Sequence, residues 1–178
     1  MKTSLEWWSK IKNDNVLLID WLKNQYHGER TAALKIKSLF FTDNIVLNDI
    51  EKKAINQIAK EEDIHADWIE SLLVSRGITA EILDKESRYW DQVLLDENTK
   101  SKEDLSAIAH LAENMRLERI KVIAEDLEAP EDIRNVFKKI LPMELKHESI
   151  FASMTNKESL SKVTINHNKG LNELGLVI

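Results

Sequence analysis

The sequence predicts an all-α protein whose core is an antiparallel four-helix bundle. Only four glycines and two prolines occur among 178 residues, well below average usage of about 7% and 5%. Turns must therefore be few and regular elements long. Apolar residues also recur at alternating steps of three and four in four separate stretches, which is the pattern of a helix that buries one face.

The first elements are read from periodicity and from end signals. A short helix is predicted near residues 5–12, which hold two tryptophans suited to packing, and the first long helix covers about 14–41. Asn48 and Glu51, three residues apart, form a capping box that opens the second long helix. Gly77 stands at the terminal-glycine position that ends it.

The second half of the chain repeats this plan after a long crossover. We expect an extra helix at residues 79–95 inside the crossover, with a threonine as its cap, then long helices at about 101–126 and 129–154. Pro142 should kink the last of these or widen one turn. The final residues are polar and weakly periodic, which predicts a tail packed on the bundle or trailing from it. The chain is thus divided into a bundle domain, 1–154, and a tail, 155–178.

Composition excludes several classes of function. The chain has no cysteine, which excludes a disulfide framework, thiolate metal sites, iron–sulfur clusters and a cysteine nucleophile. The net charge of −6 is spread along the chain and gives no reason to expect nucleic acid or a membrane as a partner. The longest aliphatic runs fall far short of the roughly 20 residues that span a bilayer. With no signal-peptide pattern at the start, we expect a cytoplasmic location.

Acidic residues and histidines interrupt the buried faces of the long helices. In the second and fourth helices the apolar series is broken by a glutamate and by a histidine three residues later. The first and third helices each place one glutamate at the middle of this face. The six residues concerned are Glu29, Glu62, His65, Glu113, Glu144 and His147.

Charge balance points to metal ions between these residues. A charged glutamate in a core costs several kcal/mol unless an opposite charge lies beside it. Four carboxylates carry −4, two divalent ions carry +4, and the histidines bind as neutral imidazoles. The two side chains of Glu-x-x-His lie one turn apart on the same face of a helix. Two such pairs and two single glutamates can enclose two ions about 3.5–4 Å apart.

The same arrangement occurs once in each half of the chain. The interval from Glu29 to Glu62 is 62 − 29 = 33 residues, and that from Glu113 to Glu144 is 144 − 113 = 31 residues. Each half is therefore a helical hairpin that supplies a glutamate and then Glu-x-x-His. A repeat of this kind favours a two-metal site.

Four motifs resemble the ligand segments of the ferritin-like superfamily of di-iron carboxylate proteins, which includes rubrerythrins, bacterioferritins and di-iron oxygenases. The motifs are HGER at 27–30, EEDIH at 61–65, AEN at 112–114 and MELKH at 143–147. The resemblance covers about residues 14–154 and implies a ferritin-like bundle. It also implies that the six residues are ligands of two iron ions in a centre that handles dioxygen or peroxide, although manganese or zinc fits the same donors.

Two features depart from rubrerythrins. Their pattern has a further glutamate three residues after the third-helix ligand, where this chain has Arg116, and they carry the cysteines of a rubredoxin-type iron centre, which are missing here. The remaining six-ligand set is more similar to that of bacterioferritins and oxygenases.

Three further residues are candidates for supporting the ligands. Tyr26 lies one turn before Glu29, either as a hydrogen-bond donor to a ligand or as a core tyrosine. His110 is a possible seventh ligand or a boundary histidine. Arg116 either meets the glutamates, where it can also poise an anion, or turns to the end of the bundle. Three acidic residues off the buried faces are predicted to be solvated: Glu61, Asp63 and Glu118.

The leading functional hypothesis is a di-iron oxidoreductase that reacts with dioxygen or peroxide and with a small-molecule substrate or electron donor. The alternatives are bacterioferritin-like ferroxidase or iron handling, and a non-enzymatic, metal-stabilised interaction module. The polar residues could also be joined by hydrogen bonds alone, or the site could have lost its metal. The oligomeric state is open, with a homodimer as one option.

Overall fold

The computed structural model describes residues 3–84 and 101–173, with side chains up to residue 169. This part of the chain contains six helices and no strand, so the all-α prediction is confirmed. The helices are α1 (Ser4–Lys12), α2 (Asn15–Phe40), α3 (Asp49–Val74), α4 (Lys102–Glu125), α5 (Glu131–Met154) and α6 (Lys157–Glu173).

Helices α2 to α5 form the bundle. The main packing pairs are α2 with α3 and α4 with α5, and the two hairpins meet chiefly between α3 and α5. Only a few residues link the two helices within each pair, and connections of this length join antiparallel neighbours. In the described ranges, 3–84 and 101–173, no helix has the length and apolar character that a membrane span needs.

The helix ends follow the local signals in the sequence. Asn48 and Glu51 form the predicted capping box at the start of α3. Gly77 follows the end of α3 with a φ of 71°, in the left-handed region that favours glycine. Helix α5 continues through Pro142 without interruption.

The apolar core has two main parts, one on each side of the polar middle of the bundle. One part includes Leu22, Ile69 and Phe137, and the other includes Ile58 and Phe151. All five side chains are almost fully buried. The glutamates and histidines of the site therefore lie between two apolar layers, where solvation of a charge is poor.

Helix α1 closes one end of the bundle with its tryptophans. Trp8 is fully buried, its Nε1 donates a hydrogen bond to Asp126 Oδ2 at 2.8 Å, and Lys12 Nζ lies 2.9 Å from the same oxygen. Trp7 and Trp8 both contact the ring of Trp21 on α2. The expectation that these tryptophans anchor the extra helix is in accord with these contacts.

The predicted tail contains a helix in its described part, α6. Helix α6 packs on α4, where Val163 is buried beside Ala107 and Ile108, and Lys162 Nζ pairs with Asp104 Oδ2 at 2.7 Å. The sequence indicated this helix weakly because few apolar residues lie along its contact stripe, too few for a clear amphipathic pattern.

The crossover also differs from expectation where it is described. Thr79 does not cap a helix, because residues 78–84 have no regular structure. Ile78 and Ala80 pack against the core, and Leu83 N donates a hydrogen bond to His27 Nδ1 at 3.1 Å. The remainder of the predicted 79–95 helix, residues 85–95, lies outside the described residues.

Candidate metal centre

The six predicted residues meet at the middle of the bundle. They come from four helices: α2 supplies one, α3 two, α4 one and α5 two. Five of them have no exposed surface and the sixth, Glu113, is 5% exposed. The sequence pattern therefore identified a real cluster of Glu29, Glu62, His65, Glu113, Glu144 and His147.

Their donor atoms form two overlapping groups of four, each with all of its atoms within 4.8 Å of one another. Ligand atoms around one divalent ion lie about 2.0–2.2 Å from it, so each group is compact enough to need only small adjustments to bind one. We call the groups the His65 position and the His147 position. The His65 position consists of Glu29, Glu62, His65 and Glu144, and the His147 position of Glu62, Glu113, Glu144 and His147.

The two histidines point the same ring nitrogen into the cluster. His65 Nδ1 lies 3.3 Å from Glu144 Oε1 and 3.7 Å from Glu29 Oε2. His147 Nδ1 lies 3.3 Å from Glu144 Oε2 and 3.2 Å from Glu62 Oε1. One oxygen of Glu144 thus faces each histidine, which is the arrangement of a carboxylate that bridges two ions.

Several buried oxygen and nitrogen atoms of the cluster have no hydrogen-bond partner among the described residues. They include Glu29 Oε2, both oxygens of Glu62, Glu113 Oε2, Glu144 Oε2 and the Nδ1 atoms of His65 and His147. Buried polar atoms are nearly always paired in folded proteins. A cluster of unpaired oxygen and imidazole donors directed at one another fits divalent metal ions, whose bonds would satisfy these atoms.

Arg116 extends into the cluster from α4. The sequence left two placements open for this side chain, and the structure places it beside the glutamates. Its Nη2 lies 2.6 Å from Glu29 Oε1 and 3.3 Å from Glu144 Oε1. Its Nη1 lies 3.7 Å from Glu62 Oε2 and 3.7 Å from Glu113 Oε2. The guanidinium therefore contacts all four carboxylates, while 24% of the side chain remains exposed.

The prediction that Glu61 is solvated is wrong. It is 7% exposed, and its Oε2 lies 2.7 Å from His147 Nε2. Gln57 Nε2 donates to the other oxygen at 2.7 Å. The sequence held the signal, because Glu61 and Glu62 both lie at helical steps of three or four from Ile58 and His65. The buried face is wide enough to include both positions.

The structure adds two charged residues to the cluster, but the net charge is the same as that predicted from the sequence. Glu61 adds a fifth buried carboxylate and Arg116 adds one positive charge, so the sum is −5 + 1 = −4. Two divalent ions with neutral histidines would bring this to zero. Sequence reasoning reached the same figure from four carboxylates alone, because the two residues that it left out cancel each other.

The four inner glutamates divide into two kinds by their pKa. Burial raises the pKa of Glu62 and Glu113 well above the usual range, and the charge of Glu144 raises both further. Burial also acts to raise the pKa of Glu29 and Glu144, but the Arg116 charge and the nearby histidines together outweigh it. The pKa of Glu29 falls to about 2, and that of Glu144 falls well below its usual value.

The histidines shift in the opposite sense to a buried imidazole without partners. Burial acts to lower the pKa of His65, but the nearby carboxylates of Glu144 and Glu29 outweigh it and raise the pKa to about 9. For His147 burial again acts downwards, and the nearby carboxylate of Glu144, with smaller contributions from others including Glu61, raises the pKa above its usual value. Without metal, protons therefore supply part of the missing positive charge.

The other candidates contact neighbours outside the two donor groups. The Tyr26 ring lies under the guanidinium of Arg30, with 5.5 Å between them. His110 Nδ1 lies 3.1 Å from Glu148 Oε1, and its Nε2 is 3.2 Å from Asn114 Nδ2. A residue that the sequence did not single out, Gln25, donates to Glu29 Oε1. Asp63 and Glu118 are at the surface, as expected.

Fold and site together define a ferritin-like helical bundle with a buried cluster of glutamates and histidines that could hold metal. The family model for rubrerythrin matches residues 21–155. The chain therefore belongs to the rubrerythrin family. Searches of curated proteins and of solved structures returned no match.

Proposed function

We propose that this protein is a di-iron carboxylate oxidoreductase that reacts with dioxygen or peroxide. The observation that carries the proposal is the pair of overlapping donor groups, which share Glu62 and Glu144 and contain unpaired buried atoms. Membership of a di-iron family supports iron over manganese or zinc, which the nitrogen and oxygen donors would also accept. The cytoplasmic location and a homodimer stay predictions from the sequence.

The donor geometry assigns a role to each side chain. Glu62 and Glu144 would bridge the two ions, since each belongs to both positions. Glu29 and His65 would complete one position, and Glu113 and His147 the other. Two bound iron ions would supply the redox chemistry. The protein holds the donors in a site with almost no exposed surface, which excludes bulk water from the reacting ions.

An anaerobic iron titration tests the proposal. We expect the metal-free chain to bind two Fe(II) per chain, and admission of air to produce oxygen consumption together with a change in near-ultraviolet absorbance. Glu113→Gln removes a donor of one position only and should reduce tight binding to one ion. Glu118→Gln, on the exposed face of the same helix, is the matched control and should bind two. Binding of one ion or none by the unaltered chain would refute a two-metal site.

The same samples separate the oxidoreductase from the iron-handling alternative. Storage of iron requires a large hollow assembly, so sedimentation of the loaded protein as a monomer or a homodimer is expected under our proposal. A non-enzymatic module would gain thermal stability from iron and would consume no more oxygen than free Fe(II) in the same buffer. We expect both stabilisation and oxygen consumption.

A further inference from the structure

Arg116 does not contact the two metal positions equally. Its closest contacts, at 2.6 and 3.3 Å, are with Glu29 Oε1 and Glu144 Oε1. Glu29 belongs only to the His65 position, and Glu144 Oε1 is the oxygen that faces His65. The oxygen of Glu144 that faces His147, Oε2, has no ion pair with the guanidinium. Arg116 therefore competes for donors mainly at one of the two positions.

The histidines also differ in what holds their outer nitrogen. His147 Nε2 lies 2.7 Å from Glu61 Oε2, so a proton on Nε2 has an acceptor and Nδ1 is left with its lone pair for a metal. A carboxylate behind a ligating histidine fixes its tautomer and strengthens it as a ligand. His65 Nε2 has no hydrogen-bond partner among the described residues and lies in a ring that contacts Trp68. When His65 binds a metal ion through Nδ1, the proton is on Nε2, and this buried N–H has no carboxylate to accept its hydrogen bond.

We infer that the two positions fill in a set order, the His147 position first and the His65 position second, and that Arg116 and Glu61 together set the difference in affinity between them. Two independent features point the same way: Glu61 favours the first ion, and the guanidinium disfavours the second. The inference rests on the proposed two-metal function and adds the order of assembly, with Arg116 and Glu61 as positioning residues.

The charge on the site explains why the second ion still binds. With the acids ionised and the histidines neutral, as metal binding requires, the cluster of five carboxylates and one guanidinium carries −4, the first divalent ion leaves −2, and the second leaves zero. Each step therefore neutralises charge. The second ion, however, must share Glu29 and Glu144 with a cation that already lies 2.6 Å and 3.3 Å from them, and like charges repel strongly at such distances in a dry interior.

Calorimetric titration with Zn²⁺, which has no redox chemistry, measures the two steps. We expect two affinities that differ by roughly tenfold or more. Arg116→Gln should strengthen the second step and narrow the difference between the two affinities, of which the part due to Glu61 remains, while Arg116→Lys should leave the difference unchanged because the charge remains. Glu61→Ala should weaken the first step by roughly tenfold.

Arg30→Gln is the matched control. This arginine has a similar exposure, 23%, and it pairs with Asp63 and Asp67 outside the donor groups. Its removal should leave both steps unchanged. If Arg116→Gln does not fold without metal, the release of Zn²⁺ from the loaded protein to a chelator gives the same comparison. The unaltered chain should lose its ions in two phases, and the faster of these should become slower in the loaded variant.

Crystals loaded with one equivalent of Co²⁺ give the position of the first ion by anomalous scattering. Density beside His147 is the expected result. Two equal steps in the unaltered chain, a first ion beside His65, or an affinity difference that Arg116→Gln leaves unchanged would each overturn the inference while leaving a two-metal site intact. Failure of the proposed function is distinct, because the unaltered chain would then not bind two ions at all.

Discussion

Metal loading should expel protons from the centre, because the ions replace the positive charge that protons supply in the metal-free chain. The five carboxylates and Arg116 sum to −4. In the metal-free chain the pKa values of Glu62 and Glu113 are raised well above their usual range, and His65, with a pKa of about 9, is cationic at pH 7.

The pKa of His147 is also raised, so all four shifts favour protons in place of the missing positive charge. Two divalent ions supply positive charge instead and need the acids ionised and the histidines neutral. We therefore expect the binding of two Zn²⁺ at pH 7 to release protons, including the one on His65.

Calorimetry in buffers of different ionisation enthalpy counts these protons directly. The number of protons released should decrease at pH 9, because His65 is then protonated in only about half of the metal-free chains. Glu118→Gln should release the same number as the unaltered chain. Release of no protons at pH 7 would show that the metal-free cluster holds none, not even on His65, and the charge argument would fail.

Three further predictions concern stability. The metal-free protein should lose up to about 3 kcal/mol between pH 6.5 and 9, because the raised pKa of His65 stabilises the fold fully below 6.5 and loses this effect as the pH passes about 9; urea unfolding at several pH values measures it. Trp8→Ala should cost about 3–5 kcal/mol, because the side chain is fully buried. Gly77→Ala should cost about 1 kcal/mol, because its φ is 71° and strains an alanine.

A different result would contradict each of these three predictions. Stability of the metal-free chain that rises towards pH 9 would contradict the sign of the His65 shift. A small effect of Trp8→Ala would show that α1 contributes little to the core, with Leu5→Ala on the exposed side of the same helix as the control. Equal stability of Gly77→Ala would mean that the end of α3 rearranges, since an added Cβ meets nothing within 4 Å and only backbone conformation is at stake.

The four long helices and the six residues of the cluster were predictable because the information is local. A helix that buries one face must repeat its apolar residues every three or four positions. A glutamate and a histidine in such a series are then placed in the core by spacing alone, as in Glu62–His65 and Glu144–His147. Asn48 and Gly77 gave the ends of α3 for the same reason.

The long side chains beside the cluster were harder to place. Arg116 can reach either the acids or the end of the bundle, and its position on α4 does not distinguish them. Glu61 stands at the edge of the buried face, where the rotation of α3 against α5 decides whether it meets water or His147. A helical period gives the direction of a residue to within a wide arc, and this arc spans both outcomes.

Sequence alone determined the bundle, its repeat and the acids and histidines at its centre, because each depends on spacing within one helix. Tertiary structure decided what surrounds them: the guanidinium of Arg116 among four carboxylates, Glu61 behind His147, and helix α6 against α4. These features depend on contacts between helices that are distant in the chain. Such contacts are set by the mutual rotation and packing of whole helices, which no single segment encodes.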